Sequence, residues 1–410
     1  MKKSFLALAV AALAATSFAS TASATTVYDK DGTSLSIYGR VQAVYYSDEA
    51  SGVVNGDDKE GSIKATGRLG FDLRSQINPY VAGFAKAEFE MANGDNQPDG
   101  SDSFDARYLW VGMDFGQFGQ FKVGKFEEAI KYAISQTDIY DDWGCEGLNG
   151  NDDRREGVVQ YQWSGYGVDV IASYAFAKNN EHLDGAYQGY AGGVNERETV
   201  NLDYSYSFAI GYTSPDVLFG PIAVRAGYAG GEFDDYQNNG ANELYLPVNV
   251  NGQTLNLTNG IFYDSYDQFA IGLSWGSLNL GPYVAAVYQQ RTFDLTDTNV
   301  DADTDESKVT GYEFALGYNF GNGLLVRAGY NHQKYEIGSE EAEASVIPVY
   351  INYNFNPQVQ VWAEARFDAG SDDDSVDDVI AGRGANFNFL TNGTYNSAEN
   401  VFSVGIRYNI

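Results

Sequence analysis

From Thr33 to the C-terminus the chain alternates apolar and polar residues in short runs, the period-two pattern of strands whose two faces meet different surroundings. It is plainest where Tyr204, Tyr206, Phe208, Ile210 and Tyr212 oppose Ser205, Ser207, Ala209 and Gly211. The last run repeats it, with Phe402, Val404, Ile406, Tyr408 and Ile410 against Ser403, Gly405, Arg407 and Asn409. The pattern predicts sixteen strands. The first six are Thr33–Tyr46, Ile63–Ile77, Tyr80–Met91, Phe104–Phe115, Phe118–Lys125 and Arg154–Trp163. Val168–Ala177, Val200–Thr213, Ile222–Glu232, Ser265–Trp275 and Leu278–Phe293 follow. Val309–Phe320, Leu324–Ile337, Ser345–Phe355, Gln358–Asp368 and Ala398–Ile410 complete the set.

The connections alternate as well. Short turns such as Asn78-Pro79, Gly116-Gln117, Gly276-Ser277 and Asn356-Pro357 fall between long polar stretches, among them 92–103, 178–199, 233–264 and 369–397. All the long connections therefore fall at one end of an up-and-down meander, as in outer-membrane-type barrels. A soluble sandwich has no reason to sort its connections by length, and Greek-key crossings would mix them. The expected fold is all-β, a 16-stranded antiparallel transmembrane β-barrel over 25–410 with its apolar phase toward lipid. Barrels of about 16–18 strands leave room for an aqueous channel.

One stretch breaks the alternation. Of the 28 residues from Phe126 to Asp153, eight are acidic and only Lys131 is basic. A connection of this length in a compact fold is usually functional or disordered. We expect it to be ordered and functional.

Composition narrows the setting. Lys2 and Lys3, the apolar run Phe5–Ala15 and the small-residue site Ala22-Ser23-Ala24 read as a signal peptide over 1–24. That run is too short to span a bilayer, and no later stretch approaches about 18 apolar residues. A net charge of −31 argues against a nucleic-acid partner. The single Cys145 excludes an internal disulfide framework, and His182 and His332 stand in no metal or triad pattern and read as surface residues. The acidic tracts Asp301–Glu306 and Ser371–Asp378 lack ordered ligand spacing and read as solvated charge, so no metal or cofactor is expected.

Arg40, Arg68, Arg107 and Arg154 fall on the polar phase of early strands, where they would form a fixed positive strip on one wall. Carboxylates such as Asp72 or Glu156 could instead hold them in ordinary ion pairs. The segments TSLSIYGR (33–40), GRLGF (67–71), RYLWVG (107–112), FGQFKVGK (118–125) and VGIRYNI (404–410), in this order and spacing, resemble the general diffusion porins of Gram-negative outer membranes. The resemblance implies a water-filled channel for passive diffusion of ions and small hydrophilic solutes, and trimers packed through the early strands. It further implies both termini in the periplasm, with outer-membrane lipid and lipopolysaccharide as surroundings. It also implies that the third long loop, 126–153, folds inward and narrows the pore. Its acids Asp138, Asp142 and Glu146, with Asp141 as an additional one, would then face the basic wall of Arg40, Arg68, Arg107 and Arg154. Two features depart from the family: the loop reads Asp-Asp-Trp-Gly-Cys at its tip, and the chain ends in Ile410 where Phe is usual.

Three other functions fit a barrel. A substrate-selective porin would tune its lumen residues, and an adhesive or structural barrel would work through its loops. An enzyme needs a nucleophile, base and orienting group together. Two histidines far apart in the expected fold argue against that one.

Overall fold

The computed structural model describes residues 24–47, 61–92, 103–142, 154–183, 199–234, 243–250, 253–297, 306–337, 340–371 and 400–410. The expected signal peptide, apart from Ala24, lies outside them, as do Cys145 and Glu146. In chain order the strands are β1 (Thr25–Lys30), β2 (Thr33–Tyr46), β3 (Ser62–Asn78), β4 (Val81–Ala92), β5 (Ser103–Asp114) and β6 (Gln120–Glu127). Next come β7 (Arg154–Gly165), β8 (Val168–His182), β9 (Thr199–Val217), β10 (Gly220–Phe233), β11 (Glu243–Val250) and β12 (Gln253–Gly276). The last six are β13 (Gly281–Asp297), β14 (Glu306–Asn319), β15 (Leu324–Ile337), β16 (Glu340–Asn354), β17 (Val359–Asp368) and β18 (Val401–Asn409).

Sixteen of these strands form a closed antiparallel barrel, as the alternation predicts. Each barrel strand pairs with its sequence neighbour, and β10 pairs directly with β12, from Ile222↔Trp275 to Glu232↔Ser265. β18 closes the ring on β2, from Ser403↔Tyr46 to Asn409↔Arg40. The two additional strands lie where the sequence reading placed no strand, β11 inside the connection 233–264 and β1 in the lead before Thr33. β11 pairs with the far end of β12 as a hairpin beyond the β10–β12 pairing. β1 pairs with Thr33–Ile37 of β2, on the stretch of edge that β18 leaves free.

The two phases of the pattern separate onto two surfaces. In β18, Phe402 is 48 % exposed whereas its neighbour Ser403 is fully buried. The exposed apolar phase forms the outer surface, so the alternate polar phase lines the lumen. Outer aromatic rings gather toward both ends, as in the girdles of membrane barrels. Tyr174, Phe176, Tyr204, Tyr206 and Tyr228 form a run of adjacent rings on β8–β10 toward the long-connection end. At the short-turn end Phe219 stacks on Trp275 at 4.0 Å, and Phe320 lies 4.7 Å from Tyr318. His332 is buried rather than a surface residue: it stacks on Tyr312 at 4.5 Å and hydrogen-bonds Ser345 at 2.8 Å.

A charge placed midway along the outer face has no water to solvate it. Ile406→Arg should therefore destabilise the folded barrel by about 2–4 kcal/mol, and the same change at Phe402, nearer the rim, by about 0–1 kcal/mol. Reversible urea unfolding in phospholipid vesicles measures both, and equal costs would contradict the assigned facing.

Candidate functional site in the barrel lumen

The interrupted stretch begins one residue after β6 ends, at Glu128, and turns into the barrel instead of forming a hairpin. Its root is pinned by polar contacts. The Ala129 N–H donates to Ser173 Oγ and Ser207 Oγ, at 3.0 and 2.8 Å. The buried Glu128 carboxylate accepts from Arg155 Nη1 at 3.2 Å and from the Ser205 hydroxyl. Arg155 also donates to the Tyr266 hydroxyl at 3.1 Å. A short helical turn, α1 (Lys131–Ile134), follows; Ile130, Ala133 and Ile134 bury against Ala229, Ala270 and Val287. Gln136 Nε2 donates to Ser274 Oγ at 2.8 Å, and the Gln136 carbonyl accepts from the Tyr283 hydroxyl at 2.8 Å. Ile139 then packs on Tyr283, Ala285 and Ala315. The apolar positions of this stretch thus face the wall, at about 1.5–3 kcal/mol for each fully buried isoleucine.

The far end is held by acids. Asp141 accepts from Arg407 Nη2 at 2.6 Å and from the Tyr350 hydroxyl at 2.5 Å. Asp142 accepts from the Tyr46 hydroxyl at 2.9 Å, Trp362 Nε1 at 3.2 Å and the Ser403 hydroxyl at 2.5 Å. The backbone N–H groups of Asp141 and Asp142 both donate to one oxygen of Glu364, at 3.1 and 3.0 Å. Between Glu128 and Asp142 the segment therefore passes from β7–β9 to the seam where β18 meets β2.

The described segment makes its contacts from β7 round to β2, and the arginine cluster stands on β2–β5. Arg40 and Arg68 are cross-strand partners. Arg68 Nε meets Glu90 at 2.7 Å, while Arg107 bridges Glu88 at 3.0 Å and Glu90 at 2.7 Å. The inward position of Arg107 depends on a bulge. Leu109, Val111 and Met113 are outward and exposed, so strict alternation would turn Arg107 toward lipid. The register instead steps from Glu88↔Tyr108 to Phe89↔Ala106, leaving Arg107 unopposed. Such an extra residue re-aims a side chain, and here Arg107 and Tyr108 both reach lumenal carboxylates. Arg154 stands apart, 3.7 Å from Glu127 and with its guanidinium 5.6 Å from the Tyr108 ring centre. The carboxylates beside the arginines are thus Glu88, Glu90 and Glu127. Asp72 meets Lys86 instead, and Glu156 meets Lys125 and Lys178.

The acids of the segment divide. Asp141 reaches the wall, where it acts as an opposite charge on Arg40 and Arg407. Asp142 reaches the same wall through neutral donors. Asp138 pairs with Lys131 of its own segment at 3.3 Å, on the lumen side rather than against a wall arginine. Arg155, Arg225, Arg407 and Glu364 were not singled out by sequence reasoning. Arg407 lies on the inward phase of the last strand, and that signal was legible; nothing local marks the others as contacts of a segment remote in sequence.

Burial would push the Asp141 carboxyl up. Arg407, hydrogen bonds from Tyr350 and Arg407, and the nearby Arg40 outweigh it and hold Asp141 below the usual carboxylate range. For Asp142 burial dominates and the Asp141 charge adds to it; donors from Ser403, Trp362 and Tyr46 offset only part, so its carboxyl is raised.

Comparison with known proteins agrees with this architecture. A profile of the family described as Gram-negative porin matches residues 7–373. The chain is 27% identical to the outer membrane porin protein OmpD of Citrobacter koseri over 416 residues, covering 100% of this chain and 99% of that one. It is 25% identical to the outer membrane porin PhoE of Enterobacter cloacae, over 93% of this chain and 98% of the relative. Among solved structures, Salmonella typhi OmpF in complex with daunomycin superposes with a TM-score of 0.66 at 18% identity, covering 94% and 100% of the two chains. The trimer form of Vibrio cholerae OmpT gives 0.60 at 17% identity, covering 93% and 100%.

The two adjacent aspartates should titrate in a fixed order. Asp142, with a raised carboxyl, takes up a proton on acidification before a free aspartate would, and in doing so relieves repulsion. The stabilising charge of Asp141 persists to lower pH and is lost only as pH falls through its depressed value. Carboxyl difference infrared spectroscopy on Asp142→Asn and Asp141→Asn should remove the higher-pH and lower-pH components respectively. The reverse order would contradict the contacts described.

Proposed function

Given that the chain belongs to the Gram-negative porin family, and so forms an outer-membrane channel for passive diffusion, we propose that Glu128–Asp142 is its charged constriction. The observation that carries this reading is the path of that segment. It is built into the lumen of a closed sixteen-strand barrel and anchored from β7 round to the seam between β18 and β2. Such a segment occupies part of the bore at one level. The interaction of Asp141 with Arg40, on β2 at the seam, supports putting the arginines of β2–β5 at that level.

The mechanism follows from electrostatics. Arg40, Arg68 and Arg107 give one side of the waist a cationic strip threaded with Glu88 and Glu90. The stretch 126–153 carries eight acids, Asp138 and Glu146 among them, against the single Lys131, so that side is net negative. Low-dielectric walls focus field lines between such strips. Water and polar solutes orient in that transverse field and pass, whereas apolar solutes lose hydration without an equivalent gain. Solutes move down their own gradients, and no chemical step is involved.

The same reading extends to surroundings and assembly. Small residues on the outer face of β4 (Gly83, Ala85 and Ala87) suit close packing against another barrel within the membrane. Together with the trimeric form of the OmpT relative, this supports a homotrimer packed through the early strands. Ile410 hydrogen-bonds to Gly39 on the half of β2 that leads to the short-turn end, which supports periplasmic termini. The long-connection end then faces outward into lipopolysaccharide.

Neutralising Arg40, Arg68 and Arg107 together leaves Glu88 and Glu90 uncompensated, so the channel should become more cation-preferring. Reversal potentials in a salt gradient across planar bilayers measure this, and an unchanged potential would count against the constriction. Amine-reactive crosslinking of native membranes should yield trimers, and monomers alone would count against the proposed assembly.

A further inference from the structure

The wall beneath the segment is not flat. Gly211 on β9 and Gly272 on β12 flank Arg225 on β10 in one cross-strand row, Gly211↔Arg225↔Gly272. Farther along, Ala285, Ala315 and Gly329 form a second row across β13, β14 and β15. Both rows belong to the inward phase. A side chain at any of these three glycines would meet the segment itself. A Cβ at Gly211 would lie 2.6 Å from the Tyr132 ring and hydroxyl, and one at Gly329 would lie 2.5 Å from the Tyr140 hydroxyl. At Gly272 it would overlap both the Ala133 carbonyl oxygen and Gln136 Oε1. The Gly272 conflict involves backbone, which no rotamer change relieves. Arg225, between the first two, lays its guanidinium 4.2 Å from the Tyr132 ring centre and donates to the Tyr132 carbonyl at 3.2 Å and Ser135 Oγ at 3.1 Å.

We propose that these glycines set the bore of the channel: they form a recessed track that lets the segment lie against the wall, and filling the track lifts it into the lumen. The proposal rests on the reading of Glu128–Asp142 as the constriction. It assigns a positioning role to wall residues that carry neither charge nor hydrogen-bonding side chain and never touch a solute. Inward glycine is not itself the cause. Gly317 on β14 shares the inward phase, yet a Cβ there finds its nearest neighbours at 3.6 and 3.7 Å, ordinary contact distances away from the segment.

The test compares Gly272→Ala and Gly211→Ala with Gly317→Ala in the full-length, membrane-folded protein, with heat-modifiable gel mobility confirming the barrel. Two readouts are taken. One is single-channel conductance in planar bilayers. The other is labelling of a Ser135→Cys reporter, in a Cys145→Ser background, by a membrane-impermeant maleimide. The track predicts that Gly272→Ala lowers conductance about twofold or more and raises labelling, while Gly317→Ala does neither. Should Gly272→Ala fail to fold, Gly211→Ala decides, because the atoms nearest its added methyl all belong to the Tyr132 side chain. Its effects should then be reversed by Tyr132→Ala. Unchanged labelling in the track variants overturns the proposal, and so does raised labelling at unchanged conductance. A chain with residues 129–142 replaced by a short Gly-Ser linker separates the two ideas. Wild-type conductance from that chain would remove the constriction reading itself, while labelling still reports whether the glycines seat the segment.

Discussion

The structure depends on one constraint: inside a bilayer no backbone N–H or C=O can turn to water, so every strand needs a neighbour on both sides. A sheet of sixteen strands meets it only by closing, and the β18–β2 ladder is where it closes. The outer face then needs little beyond apolar surface, which explains why Tyr, Phe, Ile, Leu and Val predominate on it. The inner face inherits a different problem. It must carry polar residues that face one another across a space, and it must decide how much of that space stays open.

The segment after β6 lies in that space and is seated by packing more than by charge. Its isoleucines and the short turn at Lys131–Ile134 seat against alanines and glycines of the late wall, while the buried Lys131 pairs with the exposed Asp138 of the same segment. The buried contacts of Glu128 with Arg155 and of Asp141 with Arg407 fix direction and register at the two ends. The apolar middle supplies adhesion. On the early wall Arg68 and Arg107 stand beside Glu88 and Glu90 of the same wall, while Arg40 interacts with Asp141 of the segment.

How much of this was legible in sequence follows from the range of each interaction. The strands were, because alternation is local and lipid enforces it residue by residue. β11 and the upper part of β12 were not, because their alternation sits within a long polar stretch that reads as one connection. Arg40 and Arg68 were legible as inward charges by parity alone. Arg107 came out inward although parity counted from Leu109 points it outward, and a bulge reconciles the two. Asp138 illustrates the limit. It is acidic, on the right loop and near the right place, yet it turns to Lys131 seven positions before it, a choice decided by the path of the segment. Asp141, which looked like a surplus acid, makes the ion pair to the wall. The glycines of the late strands alternate just as serines or alanines would, so their role is invisible until the segment is seen lying on them.

The site that holds Asp142 is assembled from Tyr46 of β2, Trp362 of β17 and Ser403 of β18, the first strand of the ring and the last two. It exists only after the whole chain has been threaded and the ring has shut. The acidic tip is synthesised early but has no berth until the final strand arrives. Its full set of partners therefore exists only in a closed ring, so the state of the Asp142 carboxyl reports on closure.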